Sequence, residues 1–139
     1  MTKLKIIIAL VFLQFGIQKS YSQVYKYQTT GFSVLEKGPN GKWGKWSDLE
    51  KVNLLVSLDT DKNRIIVYSR EIQIYSIMKY EKREENDTDE IFPFSCSDMD
   101  GQPFVISIII RKNQNFRKQL YINHKNVILQ YNIENLIEN

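Results

Sequence analysis

Two groups of residues in this 139-residue chain are chemically suggestive by type and spacing. In Gly41-Lys42-Trp43-Gly44-Lys45-Trp46-Ser47-Asp48, both tryptophans fall three residues apart with lysines interleaved. Exposed indoles stack on sugars or greasy groups, and neighbouring ammonium groups meet anions, so Trp43, Trp46, Lys42 and Lys45 are the candidate contact residues for a ligand or partner. The competing reading makes one or both indoles a plug at the end of a β-barrel, each burying about 150–250 Å². The second group is the single cysteine, Cys96, the single histidine, His124, and Asp98, which have the types of a nucleophile, a base and an orienting carboxylate.

The local sequence around Cys96 resembles neither a nucleophile elbow nor a cysteine-protease signature. His124 falls in an expected turn, and Cys96 alternates with Phe92 and Phe94 as a small buried hydrophobe would. No catalytic residue is assigned, and a non-enzymatic role is expected. Zinc is not expected on inventory, since a structural site takes four Cys or His ligands and the chain has one of each. Asp59-x-Asp61-x-Asn63 imitates the opening of a calcium loop, but Arg64 stands where the glycine belongs and Arg70 where the bidentate glutamate belongs. It reads as a hairpin turn, as does Asp98-x-Asp100-Gly101, and neither a metal nor a cofactor is expected.

The elements that must carry these residues are strands. From Val24 onward, β-branched and aromatic residues alternate in short runs separated by polar clusters. The runs are residues 24–36, 52–58, 64–69, 72–80, 91–97, 104–112, 116–123 and 127–133, with the two runs across Ser69-Arg70-Glu71 able to merge into one. Connections this short pair successive strands antiparallel. In the sixth run Phe104, Ile106, Ile108 and Ile110 share one face; in the seventh Phe116, Leu120 and Ile122; in the eighth Val127, Leu129, Tyr131 and Ile133. The expected fold is all-β: a small antiparallel meander of seven or eight strands, closed or nearly closed as a barrel, with a two-sheet sandwich as the alternative. Ser47-x-x-Glu50 is a capping-box pattern that predicts one helical turn from Asp48 to Asn53. Glu81 to Glu90 carries six acids against Lys82 and Arg83 and reads as a solvated loop containing the glycosylation pattern Asn86-Asp87-Thr88. The last residues, 135–139, are expected to fray.

Residues 1–22 read as a secretory signal peptide: Lys3 and Lys5, an apolar run from Ile6 to Phe15, and small residues at Ser20 and Ser22, with cleavage expected between Ser22 and Gln23. The apolar run is shorter than the ~20 residues a membrane-spanning helix needs, so no membrane anchor is expected after cleavage. Residues 23–139 are then one exported β domain, periplasmic or secreted, for which a bacterial source is expected. The whole chain has 19 Lys+Arg against 16 Asp+Glu, but Lys3, Lys5 and Lys19 lie in the leader, leaving 16 against 16. A neutral domain lacks the clustered positive charge that nucleic-acid binding rests on.

The order of leader, Tyr25/Tyr27 strand, Trp43-x-x-Trp46-Ser47, a strand ending in Asp59, and Cys96-Ser97-Asp98 before a tight turn resembles small exported proteins of Gram-negative bacteria whose function is not assigned. Separately, Gly41-x-Trp43 and Gly44-x-Trp46 are similar to the Gly-x-Trp motif of lipocalins, eight-stranded barrels that bind small apolar ligands. That resemblance implies Trp43 and Trp46 as barrel-end residues. The motif departs from the lipocalin pattern in following the first strand, in a short chain, with no disulfide. Taken together, the expected function is binding of a partner protein or a small apolar ligand, as an inhibitor or protective factor. A small hydrolase using carboxylates or Cys96 and His124, and a structural envelope component, are the alternatives, and the oligomeric state stays open.

Overall fold

The computed structural model describes residues 23–136, and the leader read over residues 1–22 lies outside them. The described chain forms nine strands and one 3₁₀ turn: β1 (Val24–Glu36), β2 (Leu55–Asp59), β3 (Arg64–Val67), β4 (Gln73–Tyr80), β5 (Glu84–Glu85), β6 (Asp89–Ser97), β7 (Pro103–Arg111), β8 (Arg117–His124) and β9 (Val127–Asn135), with the turn over Lys112–Gln114. Every pairing is antiparallel, as short connections require. The sheet runs β4-β3-β2-β1-β9-β8-β7-β6-β5, and β4 also pairs with β6. That last pairing, Ser76 opposite Ser97 through Tyr80 opposite Phe94, joins the strands into a ring of eight. The all-β antiparallel meander is therefore present, and ring closure leaves neither β4 nor β6 as an open edge along the paired stretch.

Alternation decides what fills the ring. Val56, Ile65, Val67, Ile106, Leu120 and Ile122 are each 0–2% exposed and form the middle of the core. Burying side chains of this kind stabilises by about 1.5–3 kcal/mol each. β1 keeps its inward face only by a register shift between Thr29 and Gly31. Tyr27 and Thr29 are buried before it, and Phe32 packs on the core after it. One extra residue, Thr30, changes the parity of the strand, which is what a β-bulge does.

Several expectations are corrected. The capping-box turn after Ser47 is absent: residues 43–54 lie extended beside β1, with Gly44 N donating to Glu36 O, Ser47 N to Val34 O, Glu50 N to Phe32 O and Thr29 N to Leu54 O. The second half of β1 has β9 on one side and would otherwise leave amides and carbonyls unpaired on the other, and this demand outweighs a single cap. The polar segment after Tyr80 is not wholly a solvated loop. β5 pairs with β6, and Arg83 bridges Glu85 and Glu90 at 3.1 Å each. Phe116, expected on the inner face of β8, instead sits in the turn before it, 65% exposed. Ser69-Arg70-Glu71 is a true break between β3 and β4. The C-terminal end holds at least through Leu136, whose amide donates to Lys26 O.

Candidate functional site

Strand parity places an inward-facing residue every second position, and at the end of the ring where β1, β3, β6 and β8 begin these residues do not meet. They surround a cavity of about 340 Å³. Its floor is the top of the packed core: Tyr27 from β1, Leu58 from β2, Phe94 from β6 and Ile108 from β7, each 7–9% exposed. Its rim is Tyr25, Thr60, Tyr80, Phe92, Ile110 and Lys118. The mouth is thus walled by aromatic and aliphatic side chains, the usual composition of a small-molecule site with few polar groups.

Its polar groups are few and held. Lys118 Nζ stands 5.8 Å from the Tyr27 ring centroid and donates to Asn135 Oδ1 at 2.7 Å. Tyr80 donates its hydroxyl proton to Asn63 Oδ1 at 2.7 Å, and its ring meets Phe94 edge to face. Tyr80 therefore ties the β2–β3 turn to the wall. Burial, reinforced by neighbouring Tyr25, raises the Tyr27 phenol above its ordinary value, which keeps it a neutral hydroxyl. On the flank, Arg83 lies 5.5 Å from the Phe92 ring. Lys112, bonded to Glu85 at 2.6 Å, holds that carboxyl below its ordinary value, with the Arg83 charge adding to the effect.

The sequence-derived candidates lie elsewhere. Trp43 and Trp46 are each 43% exposed, so neither indole plugs the ring. Trp43 pairs with Lys37, whose ammonium stands 4.9 Å from the indole; the interleaved Lys42 and Lys45 are exposed and are not its cation partner. Trp46 meets Tyr121 edge to face at 6.3 Å, and Tyr121 alternates with the core residues Leu120 and Ile122, so the contact is on the outer face. There Leu49 approaches Gly31 so closely that a Cβ at that glycine would lie 3.0 Å from Leu49 Cδ1. Ser33 Oγ donates to Ser47 O at 2.6 Å, and Val34 N to Ser47 Oγ at 2.9 Å. The tryptophan segment is a strap paired along the free side of β1, with Trp46 laid over the outer face.

The cysteine and histidine are kept apart. Cys96 stands opposite Phe104 in the β6–β7 ladder, and the Phe104 ring stacks on His124 at 4.3 Å. An aromatic ring thus occupies the space between them. Burial pushes the Cys96 thiol up to about 12, and its Sγ contacts only Phe94 O at 3.7 Å among the described hydrogen-bond partners. A thiol so far from ionisation is a poor nucleophile. Asp98 is consumed by its turn, where its carboxylate accepts from the amides of Asp100 and Gln102. Asp59 does the same for Asp61 and Lys62, which makes the calcium-like spacing a hairpin turn. No cluster of three or more His, Cys, Asp or Glu residues able to hold a metal occurs among the described residues. Nor is any helix among them long and apolar enough to cross a membrane.

Periodicity alone does not single out the mouth, although the sequence carries a signal for it: Tyr25/Tyr27, Phe92/Phe94 and Ile108/Ile110 are inward pairs toward strand ends, next to the layer that closes the core.

No protein-family model matches the chain, and no solved structure matches it. Among curated proteins, early nodulin-like protein 18 of Arabidopsis thaliana is 25% identical over 92 residues. The match takes in 64% of this chain and spans 40% of that relative's length.

Proposed function

We propose that this chain is an exported, non-enzymatic binding protein whose ring of strands works as a small lipocalin-like barrel, holding an amphipathic small molecule at its mouth. The observation that carries this reading is the pairing of a greasy cavity of about 340 Å³ with one cation, Lys118, on its rim. Apolar walls favour an acyl chain or ring system, because their burial removes apolar surface from water. The ammonium selects an anionic head, since a charge-assisted contact is stronger than a neutral one. The packed middle of the core limits how deep the ligand can go, so the anion stays at the rim near Lys118 while the body rests against Tyr27 and Ile108. The Gly-x-Trp likeness is consistent with a barrel of this kind, although its tryptophans lie on the outer strap.

Calorimetric titration of the purified protein with dodecanoate and with dodecanol tests the proposal. Dodecanoate is expected to bind, with dodecanol weaker. Failure of both to bind, or of Ile110→Asp to abolish binding, overturns it.

A further inference from the structure

The β7–β8 turn and the adjoining ends of β8 and β9 border a second groove of about 440 Å³. It shares Lys118 with the mouth and otherwise has its own lining. Phe116 lies in the left-handed region, with φ 56°, and its side chain is 65% exposed. An aromatic residue is disfavoured there twice: its Cβ crowds the backbone, and its ring is left in water. Asn115, immediately before it, also has φ 56°, a value asparagine tolerates far better. Neither local conformation nor burial selects phenylalanine at 116, and strain of this kind concentrates at functional positions. The groove also contains Thr30, the extra residue of the β1 bulge, a feature found beside binding sites more often than elsewhere.

The rest of the lining names the chemistry. Asn115, Asn132 and Asn135 border the groove, together with the charged side chains Arg117, Lys118 and Glu134. A carboxamide presents a donor and an acceptor side by side, matching neighbouring hydroxyl groups that each do both. Asn132 and Asn135 are oriented from within the protein, their Oδ1 atoms accepting from Gln119 Nε2 at 3.0 Å and Lys118 Nζ at 2.7 Å. Their amide nitrogens are left to donate. Gln114 and Asn115 make no side-chain hydrogen bond among the described residues. A flat apolar ring beside a row of amides fits a ligand with an apolar C–H face and a polar hydroxyl edge. We propose that this groove binds a short saccharide, with Phe116 as the stacking platform and Asn115, Asn132 and Asn135 reading its hydroxyls.

An NMR titration of the purified protein with linear tetrasaccharides of the cello-, chito-, malto- and galacturono-series tests this. One series is expected to shift the backbone and side-chain amides of Asn115, Phe116, Asn132 and Asn135, with a dissociation constant of about 1 mM or below. Phe116→Asn, which suits the left-handed backbone, is expected to raise the thermal midpoint while weakening saccharide binding about tenfold or more. Phe116→Trp keeps the platform and the binding. Dodecanoate binding at the mouth is expected to be unaffected by either change, so the two sites fail separately. The proposal is overturned if no series shifts the groove amides, if the shifts fall at the mouth instead, or if Phe116→Asn binds as well as the wild type.

Discussion

Lys118 Nζ stands 5.8 Å from the centroid of the Tyr27 ring, so the cation on the rim and an aromatic wall of the mouth share one side of the cavity. Lys118 occupies an inward parity position, in step with Leu120 and Ile122, yet lies at the strand end where its ammonium reaches water. Lys118→Met keeps the length of the side chain and removes the charge. Dodecanoate affinity is expected to fall about tenfold, or about 1.4 kcal/mol, with dodecanol affinity unchanged or improved. Calorimetry on the variant checks this, and equal losses for both ligands would mean that Lys118 shapes the wall without meeting an anion.

The outer strap makes a contrasting prediction about stability. Trp46 is 43% exposed and touches Tyr121 by an edge-to-face contact, so Trp46→Ala is expected to cost about 1 kcal/mol, against the ~3–5 kcal/mol of a buried indole. Ser33 is 5% exposed and its hydroxyl donates to Ser47 O. Ser33→Ala leaves that strap carbonyl without this donor, at a cost of about 1–2 kcal/mol. Urea denaturation of the two variants measures both, and a loss above about 3 kcal/mol for Trp46→Ala would show that the indole is packed as a core residue.

How far the fold can be read from sequence depends on where each strand finds its partner. β1 spans Val24–Glu36 as its alternation predicts, because aromatic and β-branched residues mark the whole run. β2 begins at Leu55 and not at Val52, since Val52 and Leu54 serve Thr29 through backbone carbonyls in an irregular stretch. The capping-box pattern at Ser47 is sound local chemistry overruled by the unpaired side of β1. β5 is two glutamates, which have low strand propensity and are held by Arg83 and Lys112, a tertiary arrangement invisible to periodicity. Phe116 reads as an inward strand residue because it continues the even-numbered pattern of Leu120 and Ile122, whereas two left-handed residues end the turn before β8 begins. The mouth draws its lining from β1, β2, β4, β6, β7 and β8 together with Thr60, so no single run shows it, although the inward parity of each contributor is legible once closure is known.

Alkaline pH should weaken the fold through the buried acids. Burial pushes the Cys96 thiol from 9.0 to about 12, and burial, with added repulsion from Tyr131, Asp98 and Cys96, pushes the Tyr75 phenol from 10.0 to about 12. Each group therefore loses its proton at a lower pH in the unfolded chain. Above pH 9 the unfolded state binds fewer protons than the folded one, so stability falls as pH rises. The slope is expected to approach ~1.4 kcal/mol per pH unit for each group that has passed its unfolded value, and to persist toward pH 12. Urea unfolding at about pH 8, 9.5 and 10.5 measures it, and Cys96→Ala should remove the part that begins near pH 9. A flat profile to about pH 10.5 would refute the burial of both groups.

Arg111 supports the outer face as a branched donor. Its guanidinium reaches Asp89 at 3.0 Å, Gln119 Oε1 at 3.0 Å and the Tyr121 hydroxyl at 3.0 Å, while Tyr121 donates in turn to Gln119 Oε1. Gln119 is 2% exposed and its amide continues the chain to Asn132, so the network links β6 through β9. The pair with Asp89 is partly solvated, with side chains 24% and 17% exposed, and counts for less than a buried ion pair. Arg111→Met removes one of the two donors to Gln119 Oε1, leaving Tyr121, together with the contacts to Asp89 and the Tyr121 hydroxyl, and is expected to cost about 1–2 kcal/mol. Arg111→Lys should recover less than half of this, because a single ammonium cannot address Asp89, Gln119 and Tyr121 from one planar fork. Asp89→Asn, which leaves the Gln119 and Tyr121 contacts intact, should cost about 1 kcal/mol or less. Chemical denaturation of the three variants orders them, and an Asp89→Asn loss as large as that of Arg111→Met would make the ion pair, and not the amide network, the main support.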